Sequence, residues 1–277
     1  MFSGCGAKIG TGGYGLSAMK QKATLLALIL LMASAVPVCA QEWKEYSRQH
    51  FIVYYKEAPL DFVKTVDKAA EDYYVEISEN LGVTRDKGWS WENRAKIYIY
   101  NNADDYVASA RQSKWSSGAA STKEKTIRTF PSAHGFFDST LPHELAHIIF
   151  REFVGFQADI PSWFEEGVAM HQEKAKRWGA HDTVRKAMKD GTFRPLSQLT
   201  MTRLRYGTGR DLINLFYAEA ASVVNFMIHE LGDQQFIRLC KKLKDGESFA
   251  SALDSVYVRF KTVDDLNEAW VKYLKNE

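Results

Sequence analysis

The chain has 277 residues, 45% of them apolar, which is enough for one large domain with a substantial core and too apolar for a disordered chain. Its formal charge is +2; setting aside residues 1–40, which hold Lys8, Lys20 and Lys22 and no acid, leaves 33 basic against 34 acidic residues, a net of −1. A near-neutral chain of this kind gives no electrostatic basis for binding nucleic acid.

Residues 1–40 read as a leader and signal peptide, and residues 41–277 as the functional domain. Lys20 and Lys22 form a basic start, Ala23 to Val36 an apolar run of 14 residues, and Val38-Cys39-Ala40 a small-x-small site before a cut. The run is short for a membrane span and stops at Pro37. Cleavage predicts an exported protein, periplasmic or extracellular, with no stable membrane span. Met19 would be a natural start for such a signal. Gly10-x-Gly12-x-x-Gly15 matches a dinucleotide fingerprint only formally, because no strand precedes it and alanine stands at position 35. Cys5 and Cys39 would leave with the leader. Cys240 then stands alone, so no internal disulfide is expected, and it reads as a small core residue.

Residues 44–56 read as a strand covered on both faces, through Phe51, Val53 and Tyr55 alternating with Ile52 and Tyr54. Helical spacing follows over 60–81, ending at Gly82. A short strand is expected at 95–100, then a turn from Asn101 to Asp105 that can cap a short helix through Arg111. Residues 113–130 suggest one or two extended segments around a turn near Lys123-Glu124-Lys125. Tyr73, Tyr74, Trp89 and Trp91 read as packing. From 138 on the pattern is almost wholly helical, over 139–154, 162–174, 180–190, 211–231, 233–244, 247–257 and 263–275, with loops at Pro195 and Gly207-Thr208-Gly209. The fold class is therefore α+β: a small N-terminal mixed sheet with helices, followed by a mostly helical C-terminal half.

At the junction of the two halves stands His143-Glu144-Leu145-Ala146-His147, an H-E-x-x-H pattern. Residues four apart share one face of a helix, so His143 and His147 can reach a single Zn²⁺. Glu144, one position round, is placed to touch a water on that ion. Asp138 and Ser139 offer N-terminal caps, Pro142 falls in the first turn, and Gly155 is a stop. A hydrolytic zinc site needs a third protein ligand and an open position. Phe150 and Phe153 stand where a metzincin would have glycine and histidine, which excludes that extension. The next helix offers Glu165 and Glu166, about 100° apart around its axis. Ser162 to Glu165 has capping-box spacing, which leaves Glu166 to face the metal. Gly167, unfavourable inside a helix, suggests a close approach of two helices. Glu173, two turns on, is either a support for a ligand histidine or a solvated charge, and His171 points elsewhere.

These residues resemble the gluzincin zinc metallopeptidases: His143-Glu144-x-x-His147, 18 residues, then Glu166 within Trp-Phe-Glu-Glu-Gly-Val-Ala. They are similar in particular to the peptidase MA-like domains, related to the aminopeptidase N-like family. A second match lies at Phe216-Tyr217-Ala218-Glu219-Ala220-Ala221-Ser222-Val223-Val224-Asn225-Phe226-Met227, and together the matches span roughly residues 118–275. The resemblance implies a zincin-like fold and, for Tyr217, a phenol that donates to the oxyanion; a core aromatic is the competing reading. Aminopeptidases of this kind carry G-(A/G)-M-E-N before the zinc motif, and its glutamate grips the substrate's free amine. Here the region reads Gly118-Ala119-Ala120-Ser121-Thr122, without glutamate or asparagine. An endopeptidase is therefore expected rather than an aminopeptidase.

The expected function is a zinc-dependent metallopeptidase acting on a peptide or protein, with His143, His147 and Glu166 as metal ligands, Glu144 as general base towards a zinc-activated water, and Tyr217 as oxyanion donor. A strand just ahead of the helix would hold substrate by strand addition, or be an ordinary hairpin. The alternatives are a zincin fold that holds zinc without catalysis, as a binding module, and an envelope-assembly factor tethered by an uncleaved 23–40. Phe136, Phe137, Trp163 and Tyr206 are candidates to line the substrate pocket or to pack.

Overall fold

The alternating segments of the N-terminal half pair into one sheet, and the periodic segments after it pack as helices on that sheet and on one another. The computed structural model describes residues 42–83, 89, 91–110, 119–174, 179–204 and 207–276. The signal-like segment, Cys5, Cys39, Gly118, Tyr206 and the side chain of Trp91 lie outside the described residues. Residues 43–277 form one compact unit.

The elements in order are β1 (Lys44–Ser47), β2 (Phe51–Tyr55), α1 (Leu60–Asn80), β3 (Ala95–Ile99), α2 (Ala103–Ala110), β4 (Ala119–Ser121), β5 (Thr126–Thr129), α3 (Leu141–Val154), α4 (Ser162–Gln172), α5 (Ala180–Lys189), α6 (Leu196–Met201), α7 (Arg210–His229), α8 (Asp233–Lys244), α9 (Phe249–Val256) and α10 (Val263–Asn276). The sheet order is β1-β2-β3-β5-β4. Both pairs at the centre, β2–β3 and β3–β5, are parallel; both outer pairs are antiparallel. The expected mixed sheet and helical C-terminal half are both present.

Register explains the two faces. Val53, Ile97 and Ile127 lie side by side across β2, β3 and β5, and all three are fully buried. The next row, Tyr54, Tyr98 and Arg128, points the other way. There Tyr54 stacks on Tyr98 at 4.9 Å and Arg128 lies over the Tyr98 ring. Two sequence expectations need correction here. Residues 44–56 form a hairpin rather than one strand: Arg48 N–H donates to the Phe51 carbonyl across a polar turn, and β1 is largely exposed. The second face of β2 is only half covered: Ile52 and Tyr54, which point that way, are both half-buried.

The extended segments around Lys123-Glu124-Lys125 are β4 and β5, joined by a turn in which Lys125 N–H donates to the Thr122 carbonyl. Among the described residues β4 pairs only with β5, so it is an edge, and it packs against α3. Tyr73, Tyr74 and Trp89 are buried, as a packing role requires, and Cys240 is fully buried in the main core. The helix α6 was not expected, because Pro195 reads as a loop. Proline instead occupies the cap position, in an extended conformation, and its carbonyl accepts from Leu199. A helix start suits proline, since its missing N–H costs nothing there.

Among the described residues one helix, α7, is long and apolar enough by composition to cross a membrane. Its apolar residues Phe216, Ala220, Val223, Val224 and Met227 are buried against the rest of the protein. The helix α4 fits tightly onto it. A Cβ built on Gly167 would stand 2.4 Å from the Ala220 carbonyl oxygen, which gives the glycine its reason.

Candidate metal centre

The helix α3 carries the H-E-x-x-H residues, and its start differs from expectation. Asp138 and Ser139 do not cap it. One wide turn over Phe136–Thr140 precedes the helix: Thr140 N–H donates to the Gly135 carbonyl and Leu141 N–H to the Phe136 carbonyl, five residues back. Residues 138 and 139 are therefore already inside a hydrogen-bonded turn, and the Ser139 hydroxyl is free to act elsewhere. Such wide turns recur where function needs a side chain re-aimed. Pro142 does fall in the first turn, and Gly155 ends the helix with φ +97°.

The i, i+4 spacing brings the two imidazoles together. His143 Nε2 and His147 Nε2 stand 3.2 Å apart, and Glu166 Oε2, delivered by α4, is 3.5 Å from each. Four donors set tetrahedrally about 2.1 Å from one ion stand about 3.4 Å from each other. The three atoms thus already have the spacing of three corners of a zinc site. Glu166 Oε2 is buried and, among the described residues, has no hydrogen bond, only the two imidazole nitrogens at 3.5 Å. An anionic oxygen in that state costs several kcal/mol unless a cation lies against it. Two imidazoles and one carboxylate are also a donor set that zinc favours over magnesium or calcium. The residues present fit a zinc ion.

The electrostatics agree. Burial pushes the Glu166 carboxyl up, but contact with His143 and His147 outweighs it and holds the group at about 2. Burial pushes His147 down, but Glu165 and Glu166 outweigh that and raise it to about 10. His143 is also raised, burial being outweighed by Glu166 and Glu173. The field at this point favours positive charge, either as protons on the rings or as a divalent cation between them. Glu144, half-buried beside the rings, is raised by burial, while the imidazoles pull it back.

Behind each ring stands a second carboxylate. Glu173 is 1% exposed and accepts from His143 Nδ1 at 2.9 Å. It also accepts from the Ser139 hydroxyl, which explains the wide turn, and Lys174 N–H ties to the Asp138 carbonyl beside it. The solvated-charge reading of Glu173 is thereby excluded. The residue reaches the ring from just past the end of α4, in extended backbone, rather than from the helix face.

The capping-box reading of Glu165 is also overturned. The cap position is Pro161, and the Ser162 hydroxyl is buried with no hydrogen bond among the described residues. Glu165 turns instead to Arg151, accepting from Nε at 2.8 Å and from Nη2, and it lies 3.5 Å from His147 Nδ1. Arg151 escaped the sequence reading, although its place four residues after His147 puts it on the ligand face.

Tyr217, from α7, comes to the same site, its ring centroid 6.4 Å from that of His143. Burial, with Glu166, Glu144 and Glu173 nearby, pushes its phenol up to about 12. The helix that carries it is anchored by fully buried Glu219, which accepts from Arg194 N–H at 2.8 Å and from the Arg194 guanidinium at 2.6 Å. Trp163 and Phe136 are core residues: Trp163 is fully buried and donates to Thr200 Oγ1. Phe137 is half-buried against Phe62. His171 is buried away from the centre, hydrogen-bonded to Asn225 Oδ1 at 2.7 Å.

A family model described as the peptidase MA superfamily matches residues 75–276, from the middle of α1 to the end of α10. No curated protein matches the chain.

Proposed function

The chain belongs to the peptidase MA superfamily, and on that premise we propose that it is an exported zinc metallopeptidase, cleaving within peptide or protein substrates rather than from a free amino terminus. The observation that carries this reading is Glu166 Oε2, buried, unsatisfied and 3.5 Å from the Nε2 atoms of both His143 and His147. Zinc, when bound, supplies the Lewis acidity that polarises a carbonyl and brings the pKa of water to about 7. His143, His147 and Glu166 would hold it. Glu144 takes a proton from the attacking water and passes it to the leaving amine. Tyr217 keeps its proton at neutral pH, its phenol being raised to about 12, and donates to the carbonyl oxygen as charge develops there.

Two features favour cleavage within a chain. Ala119-Ala120-Ser121 of β4 offers no carboxylate to grip a free amine. Its open edge suits an extended peptide held by backbone hydrogen bonds. Export rests on the signal-like residues 20–40.

The test is Glu144→Gln, assayed on a peptide library with zinc measured by elemental analysis. The expected result is zinc content equal to wild type and a rate lower by a factor of about 10² to 10⁴. Full activity in the variant would overturn the mechanism. Wild-type protein that holds zinc but cleaves nothing would instead favour a binding module.

A further inference from the structure

Glu165 stands next to the ligand Glu166 but faces the other way round the helix, into a short network of its own. Arg151 lies one turn beyond His147 on α3, on the same face. The Arg151 guanidinium meets both oxygens of Glu165 in a fork, through Nε at 2.8 Å and through Nη2, and Nη1 is fixed in turn by the Ala158 carbonyl at 3.2 Å. Glu165 Oε1, the oxygen that accepts from Nε, is also the one 3.5 Å from His147 Nδ1. All three side chains are mostly buried. A planar fork of this sort holds a carboxylate in one orientation, which a single surface contact does not.

We propose that Arg151 and Glu165 act as a positioning pair that fixes the ring of His147, with Nδ1 turned to Glu165 and Nε2 turned to the metal. The inference rests on the zinc-site reading above. An imidazole binds a metal through one nitrogen only when the other carries the proton, and an acceptor at Nδ1 selects that tautomer. Among the described residues no other contact of His147 does this: its Nε2 faces His143 and Glu166. Among the described residues the contacts of Arg151 are to Glu165 and to the loop after α3, so it acts through Glu165. The same fork ties α3 to the start of α4, so it also sets the distance from His147 to Glu166.

Zinc affinity, read by competition with a chromophoric chelator on the full chain, tests this with Glu165→Leu, Glu165→Gln, Arg151→Met and the Leu/Met double variant. Glu165→Leu is expected to weaken zinc binding about 10- to 100-fold. Glu165→Gln is expected to weaken it by less: its amide oxygen can still accept from His147 Nδ1 and Arg151 Nε, but its NH2 is a donor and cannot accept from Arg151 Nη2, and the carboxylate charge is gone. Arg151→Met should weaken it in the wild-type background and add nothing in the Glu165→Leu background. The absorption bands of the cobalt-loaded variants should shift, since these report ligand geometry, which a purely structural role would leave alone. Glu165→Gln keeps the shape of the side chain, so the test survives if Glu165→Leu fails to fold. Unchanged zinc affinity in Glu165→Gln, or equal losses from Arg151→Met in both backgrounds, would overturn the pair while leaving the zinc reading intact. Wild-type protein that takes up no zinc at all would overturn both.

Discussion

Gly167 sets two physical effects against each other, and the structure decides between them. Alanine is the better helix former by about 1 kcal/mol, so propensity alone says Gly167→Ala stabilises α4. Its Cβ, however, would lie 2.4 Å from the Ala220 carbonyl oxygen and 2.4 Å from Val224 Cγ2, on α7. The valine methyl can rotate away; the carbonyl oxygen is part of a helix backbone and cannot. Ordinary contact begins at 3.4 Å, so α4 and α7 must separate locally by about 1 Å. Overpacking of this kind costs about 1–3 kcal/mol, and a backbone contact belongs at the upper end. The net expectation is a loss of about 2 kcal/mol, which for a domain of this size lowers Tm by about 4–8 °C. The residue before the glycine is Glu166, and α7 carries Tyr217, so the same movement should weaken zinc binding. Chemical denaturation, thermal unfolding and chelator competition measure all three quantities. A variant as stable as wild type or more so, with unchanged zinc affinity, would refute the steric argument and leave propensity as the winner.

Glu166→Gln should lose zinc, because an amide oxygen supplies no charge to the ion; wild-type zinc content by elemental analysis would move the third ligand elsewhere. Tyr217→Phe should keep zinc and KM and lower kcat about a hundredfold, as expected for one lost donor to a developing oxyanion; an unchanged kcat would return Tyr217 to a packing role. Asp67 is 1% exposed, with Oδ1 buried and unpartnered, and burial followed by repulsion from Glu71 raises it from 3.8 to about 6 against the pull of Arg48. Below pH 3.8 both folded and unfolded chains hold this proton; as pH rises towards 6 only the folded state keeps it, so the group lowers stability through that interval and by a constant amount above it. Asp67→Asn, neutral throughout, should therefore melt higher than wild type at pH 7 and close to it near pH 3.5; equal Tm differences at both values would sink the assignment.

What could be read from the chain follows the range of each interaction. The spacing of His143 and His147 is a property of one helix, so their convergence was legible. The strands flanking Lys123-Glu124-Lys125 and the helices from α3 to α10, apart from α6, were legible for the same reason: apolar periodicity is local. Gly167 was legible as an anomaly, a residue that only a close neighbour justifies, although the sequence could not name α7 as that neighbour. The break of residues 44–56 into a hairpin was not, since Ser47 to His50 interrupts an otherwise continuous β pattern without a glycine or proline.

The errors around the site share one cause. By local spacing Asp138, Ser139, Ser162 and Glu165 read as helix-capping residues, since the free backbone groups of a helix start are the nearest partners for a short polar side chain. Ser139 and Glu165 spend their hydrogen bonds instead on groups 34 and 14 residues away, Glu173 and Arg151. The preference has a physical basis. A cap contributes about 1 kcal/mol and can be replaced by water, whereas a buried carboxylate such as Glu173 must be satisfied where it lies. Once Glu173 is placed behind His143, Ser139 is drawn to it, the chain ahead of α3 takes a wide turn, and the helix begins two residues later than capping residues alone would set it. Local rules therefore locate the candidate metal-binding face and lose their hold on the residues that brace it, because those residues answer to charge brought from elsewhere in the chain.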